Sequence, residues 1–200
     1  NELVKIAWTN EGAALSSIQL KEFKDTETKN TLDLLKDDVH TQYRPLAIDT
    51  ILQRTNFQGQ RYTILEQTGS KVVFTTRVEE GISLIKTISL PPDKYNINMD
   101  IALKNDTNDE VSALYSIVAS SMITREGEPS ADMAAVTGLA LGSKRTKLLR
   151  TAPKEFPSRN ESVGIIWAGS TNKYFSTILK PSSSDLIASM NAQAFDAQGM

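Results

Sequence analysis

The stretch that decides the fold class is Tyr95-Asn96-Ile97-Asn98-Met99-Asp100-Ile101-Ala102-Leu103-Lys104. Tyr95, Ile97, Met99, Ile101 and Leu103 fall at every second position, with polar or small residues between them. On an extended backbone successive side chains point to opposite faces, so this pattern builds a strand with one apolar side. Wound into a helix, the same five residues would spread around the whole circumference. The preceding run alternates as well: Ile82, Leu84, Ile88 and Leu90 share a face, with Lys86 the exception on it. Pro91-Pro92-Asp93 separates the two runs, because proline cannot donate to a ladder. Asn105-Asp106-Thr107-Asn108-Asp109 is a dense turn signal, after which Val111, Ala113, Tyr115, Ile117 and Ala119 resume the alternation.

Working outward, Tyr62 and Ile64 lead through Gln67-Thr68-Gly69-Ser70 to Val72, Phe74, Thr76 and Val78, and Glu79-Glu80-Gly81 turns into the Ile82 run. Strands joined by such short turns are most simply antiparallel. At the start, Val4, Ile6 and Trp8 form a strand, Asn10-Glu11-Gly12 turns it, and Leu15 to Leu20 returns. Near the end, Val163, Ile165 and Trp167 alternate, and Tyr174 to Leu179 reads as a further strand. Helical pattern is scarce. Asp132 to Val136 fits a single turn, and Leu186 to Met190 fits either a short helix capped by Ser184-Asp185 or a final strand. About ten short strands and few helices point to an all-β sandwich or barrel. The stretch 122–159, rich in Gly, Pro, Ser and charge, reads as an irregular excursion within one domain spanning 1–200.

Composition narrows the function. The 200 residues carry 22 basic and 24 acidic side chains, for a net charge of −2. A nucleic-acid binder ordinarily has a clear basic excess, so none is expected here. There is no cysteine, which removes disulfides, thiolate metal sites and cysteine nucleophiles. A single histidine, His40, excludes any intrachain site with two histidine ligands. No apolar run reaches the ~18 residues of a membrane span, and no signal peptide is visible at Asn1. The chain starts and stops without punctuation and reads as part of something longer.

The search for chemistry returns little. His40, in Asp37-Asp38-Val39-His40, is a general base on paper, but no nucleophile motif lies near it. Ser-x-x-Lys occurs at Ser83/Lys86 and Ser170/Lys173; the first pair lies on a strand and points to opposite faces, and the second has no Lys-Thr-Gly partner. The carboxylate pairs Glu79/Glu80, Asp37/Asp38 and Asp106/Asp109 fall in turns, where acids favour solubility and Asx turns. Lys144, Arg145, Lys147, Arg150 and Lys154 form a basic cluster, either a solvated loop or a contact for anionic headgroups or an acidic partner. The richest stretch is Trp167-Ala168-Gly169-Ser170-Thr171-Asn172-Lys173-Tyr174-Phe175. It reads either as a packed corner, with Trp167 and Phe175 in the core and Asn172 closing the turn, or as an aromatic-lined groove for peptide or glycan. Trp167, Asn172, Lys173, Tyr174 and Phe175 are the candidate binding residues; no catalytic, metal or cofactor site is expected.

Three blocks carry a family resemblance. Trp167 to Phe175, with Ser176-Thr177-Ile178-Leu179-Lys180-Pro181, resembles the tryptophan and tyrosine-phenylalanine signature of the periplasmic domain of YidC-type membrane protein insertases. Trp8 to Leu15, through Leu20-Lys21-Glu22-Phe23, resembles that domain's first hairpin. Lys86-Thr87-Ile88-Ser89-Leu90, Asp93-Lys94-Tyr95 and Asn105-Asp106-Thr107 resemble its central run. The stretch from Ala119 to Glu161 has no counterpart among these blocks. The resemblance implies a large twisted antiparallel β-sandwich related to the sugar mutarotase superfamily, on the periplasmic side of the bacterial inner membrane and tethered by transmembrane helices absent from this chain. It implies a non-enzymatic accessory role in insertion and folding of inner-membrane proteins, with the Sec translocon, its accessory subunits and nascent membrane proteins as partners. The alternative is a carbohydrate-binding or mutarotase-like domain, for which His40 is a poor acid–base group.

Overall fold

In the computed structural model, residues 1–25, 28–35, 43–120, 135–141, 146–151, 158–161, 164–182, 187 and 189–193 are described. The protein is all-β, built of antiparallel sheets in the manner of a β-sandwich. A 3-10 turn lies at Phe57–Gly59. Two compact units divide the chain, Asn1–Thr124 and Arg125–Met200.

In the first unit, β1 (Val4–Thr9), β2 (Ala14–Lys24) and β3 (Thr31–Asp33) form one sheet in that order. β4 (Ile48–Ile51) pairs with β9 (Tyr115–Ile117). The largest sheet runs β5 (Thr63–Gln67), β6 (Lys71–Glu79), β7 (Ile82–Ser89), β8 (Asn98–Asn105), every neighbour antiparallel. Its register makes three rows across β6, β7 and β8: Val72, Ile88 and Met99; Phe74, Lys86 and Ile101; Thr76, Leu84 and Leu103. Opposed residues share a face, so the rows form one continuous surface. On β6 and β7 it is buried, while β8, at the sheet edge, leaves Met99, Ile101 and Leu103 half-buried. The other face carries Thr75, Thr87 and Asp100. Each large apolar side chain taken fully from water contributes roughly 1.5–3 kcal/mol, which makes Phe74, Leu84 and Ile88 the centre of this unit.

Lys86 lies in the middle of that apolar surface, fully buried. Its Nζ donates to the Ala13 carbonyl at 2.7 Å and to the Leu46 carbonyl. Both acceptors belong to left-handed residues that are not glycine, Ala13 at φ 46° and Leu46 at φ 69°. Such a conformation costs an L-residue on the order of 1 kcal/mol and persists only where other contacts hold it. Gly12 next to Ala13 is left-handed too, and a Cβ there would collide with the Gln58 carbonyl oxygen. The β1–β2 turn can therefore press against the 3-10 turn only as glycine. The lysine joins three segments distant in sequence: the first hairpin, the bend before β4, and β7.

Three sequence expectations change. The alternating run from Tyr95 forms a strand only from Asn98, leaving exposed Tyr95 and half-buried Ile97 outside β8. Of the alternating run Val111 to Ala119, only Tyr115–Ile117 is a strand, because β9 has a single short partner and Leu114 stays 88% exposed. Within 122–159, which reads as irregular, the described residues include β10 (Ala135–Leu141), β11 (Thr146–Thr151) and the start of β12 (Ser158–Glu161). Their composition hides them: β10 is Ala-Val-Thr-Gly-Leu-Ala-Leu, with glycine and alanine where alternation would need large apolar residues.

In the second unit, β13 (Ile165–Thr171) and β14 (Ser176–Leu179) complete a sheet of order β11-β10-β13-β14. β12 pairs with β15 (Met190–Gln193). Of the two readings of the last stretch, the described residues follow the strand: Ile187 bridges to Ile165 and β15 begins at Met190. The core here is small: Ala140, Ile165 and Ala168, with Ile187 and Met190 packed on them. A bulge between the Leu139 and Ala140 pairings gives β13 one extra residue. Ile165 therefore faces the core with Ala168, and Trp167 opposes Leu139 on the other side.

Burial pushes the Lys86 ammonium down to about 7, from 10.5. Between those values the unfolded chain binds more protons than the native one, so this group makes stability rise with pH and level off above about 10. In denaturant titrations, the stability difference between the parent protein and Lys86→Met is expected to shift in favour of the parent by up to about 1.4 kcal/mol per pH unit across this window. A difference independent of pH would show that the amine does not titrate there.

Candidate functional site

The corner between β13 and β14 is built on Asn172. Its Oδ1 accepts from the backbone N–H of Tyr174 at 2.9 Å and of Phe175 at 2.7 Å, an Asx-type closure, and its own N–H donates to the Phe175 carbonyl at 2.9 Å. The Thr171 hydroxyl donates to the carbonyls of Asn172 (3.0 Å) and Phe175 (3.1 Å), and Ser176 donates to Thr171 at 2.9 Å. Gly169 admits β14: a Cβ there would run into the Thr177 carbonyl. With Asn172 buried and the amides of Asn172, Tyr174 and Phe175 all engaged, the corner is held closed.

On this frame Lys173 and Tyr174 are displayed outward. Tyr174 is 57% exposed, and the Lys173 Nζ lies 5.0 Å from its ring centroid, a cation–π distance. The hydrogen bond to Tyr174, then its charge, holds the Lys173 ammonium above the ordinary lysine value. Phe175 packs edge-on to Tyr174 with centroids 6.5 Å apart. Phe175 and Trp167 are half-buried, not core residues. Thus four of the five sequence candidates, Asn172 to Phe175, form one hydrogen-bonded corner, and Trp167 belongs to the adjacent sheet face.

The other candidates fall partly outside the described residues. His40, Asp37, Asp38, Lys144, Arg145 and Lys154 lie outside the described residues. Ser83 opposes Lys104 while Lys86 opposes Ile101, so the Ser-x-x-Lys pair does point to opposite faces. Glu79, Glu80, Asp106 and Asp109 are exposed. No cluster of three His, Asp or Glu side chains able to hold a metal occurs among the described residues. The group that sequence reasoning underestimated is Lys86. Its lowered pKa is of the kind found at functional sites, yet its two partners are backbone carbonyls and its neighbours across the sheet are Phe74 and Ile101. That surrounding makes it a structural amine. Tyr62 is similar: its ring packs edge-on to Phe57 and Phe74, and burial raises its phenol.

A buried interior devoted to packing, and a closed corner that displays a cation and aromatics, describe an all-β module that presents surfaces. Comparison with known proteins identifies which. The profile of the YidC periplasmic domain matches residues 1–198, and the chain belongs to that family. It is 22% identical over 205 residues to the membrane protein insertase YidC of Francisella philomiragia subsp. philomiragia, and 22% identical over 207 residues to that of Francisella tularensis subsp. tularensis. Both alignments cover 92% of this chain and 36% of the relative, so the chain spans about a third of the length of these proteins. No solved structure matches. Among the described residues no helix is long and apolar enough to cross a membrane.

Asn172→Ala removes the acceptor for two turn amides in a part-buried setting. It is expected to lower stability by about 1–3 kcal/mol in chemical denaturation, whereas Lys173→Ala and Tyr174→Ala stay within about 0.5 kcal/mol of the parent. Equal losses from all three would mean that the displayed side chains also hold the corner.

Proposed function

We propose that this chain is the periplasmic domain of a YidC-type insertase, outside the bilayer and attached to the membrane-spanning parts of a longer protein. In this reading it carries no catalysis and assists insertion and folding of inner-membrane proteins by contact with the Sec translocon, its accessory subunits or the emerging substrate segments. The observation that carries the reading is the family match over residues 1–198. Two features support it. The relatives are named membrane protein insertases and are almost three times as long as the part matched here. The buried amine of Lys86 is occupied in bonding two backbone carbonyls.

The corner of Asn172, Lys173, Tyr174 and Phe175 is the proposed contact element, with Trp167 on the adjoining sheet. Rigid aromatics and a cation displayed on a closed turn give contact area at little entropic cost. In the parent insertase, Lys173→Ala with Tyr174→Ala is expected to reduce co-purification of translocon subunits while leaving thermal unfolding of the domain unchanged. Undiminished co-purification would remove the corner from the contact surface. Calorimetric titration of the chain with common sugars is expected to give no binding heat; tight binding would favour the carbohydrate-binding alternative.

A further inference from the structure

We propose that the outer face of the β11-β10-β13-β14 sheet docks on an anionic lipid bilayer. The register places Leu148 opposite Leu139, and Leu139 opposite Trp167, on the face turned away from the Ala140, Ile165 and Ala168 core. Ile178 opposes Gly169, two positions along from Trp167, and so lies on the same face. Leu148 is 64% and Ile178 55% exposed, and Leu139 and Trp167 are half-buried. An apolar row across all four strands of a sheet exceeds the scattered single exposures normal for a surface.

Charge selects the occupant. The four strands and the β13–β14 turn contain no acidic residue. The turn contains Lys173, and exposed Lys180 follows β14 directly. Arg150 opposes Thr137 in the register of Leu148 opposite Leu139, whereas Lys147 opposes Ala140 of the core face. The protein as a whole carries a net charge of −2, so this sheet is a basic island on an acidic molecule. Apolar side chains, a tryptophan and a tyrosine bounded by lysine and arginine match the bilayer interface, where aromatic rings sit at headgroup depth and cations meet lipid phosphates. Lys173 and Tyr174, stacked at the sheet's corner, supply both elements in one place.

The test is flotation of the chain with vesicles of phosphatidylcholine alone and of phosphatidylcholine mixed with phosphatidylglycerol. Trp167 emission is followed in a Trp8→Phe background. Expected are binding to the mixed vesicles only, a blue shift on binding, and release by salt. Lys173→Gln and Lys180→Gln should each weaken binding about fivefold. Leu148→Glu with Ile178→Glu should abolish it, and Leu114→Glu, an exposed site in the first unit, should leave it unchanged. The two glutamine variants keep the test decisive if the double glutamate variant fails to fold. No binding to mixed vesicles at low salt overturns the proposal, as does binding that Lys173→Gln and Lys180→Gln leave unaffected. Binding of poly-glutamate without vesicle binding would make the face a site for an acidic protein. A dimer that Leu148→Glu disrupts, without vesicle binding, would make it a contact between copies.

Discussion

The first unit depends on an amine held in an apolar layer. Lys86 stands in the middle row of the β6–β7–β8 surface, between Phe74 and Ile101, and reaches the carbonyls of Ala13 and Leu46. Burying an ammonium is costly unless its donors are taken, and here desolvation drives the group toward its neutral form. A neutral amine has two N–H donors, enough for the carbonyls of Ala13 and Leu46. The arrangement is thus satisfied in either protonation state but less favoured in the charged one. In return, two left-handed residues are held in turns that pack the first hairpin and the bend before β4 onto the central sheet.

The parts of the fold that could be read from residues alone share one property: a long run with large apolar side chains on one face only. β6, β7 and β8 meet it, and their predicted faces agree with the observed burial. β3 and β4, at three and four residues, are too short to show a period. β10 hides behind glycine and alanine, because its inner face packs against Met190 and the backbone of Trp167 and has no room for larger groups. β13 misleads in a further way: alternation puts Ile165 and Trp167 together, and the bulge separates them.

The candidate corner was legible because its chemistry is local. Asn172 bonds to residues two and three positions away, a distance that sequence reading can see. Lys86 stood out as an exception on an apolar face, but its partners lie 73 and 40 residues off, and no spacing rule connects them. The apolar row Leu148, Leu139, Trp167 and Ile178 was invisible for the same reason, since it exists only once four strands are in register.

The bulge in β13 couples the length of that strand to the face its indole takes. Were β13 to keep its length but lose the bulge, plain two-residue alternation would swing the indole toward Ala140 and Met190, into a small core with no space for it. Deleting Ile166 would remove the extra residue itself and leave Ile165 opposite Ala140 and Trp167 opposite Leu139, each on its present face.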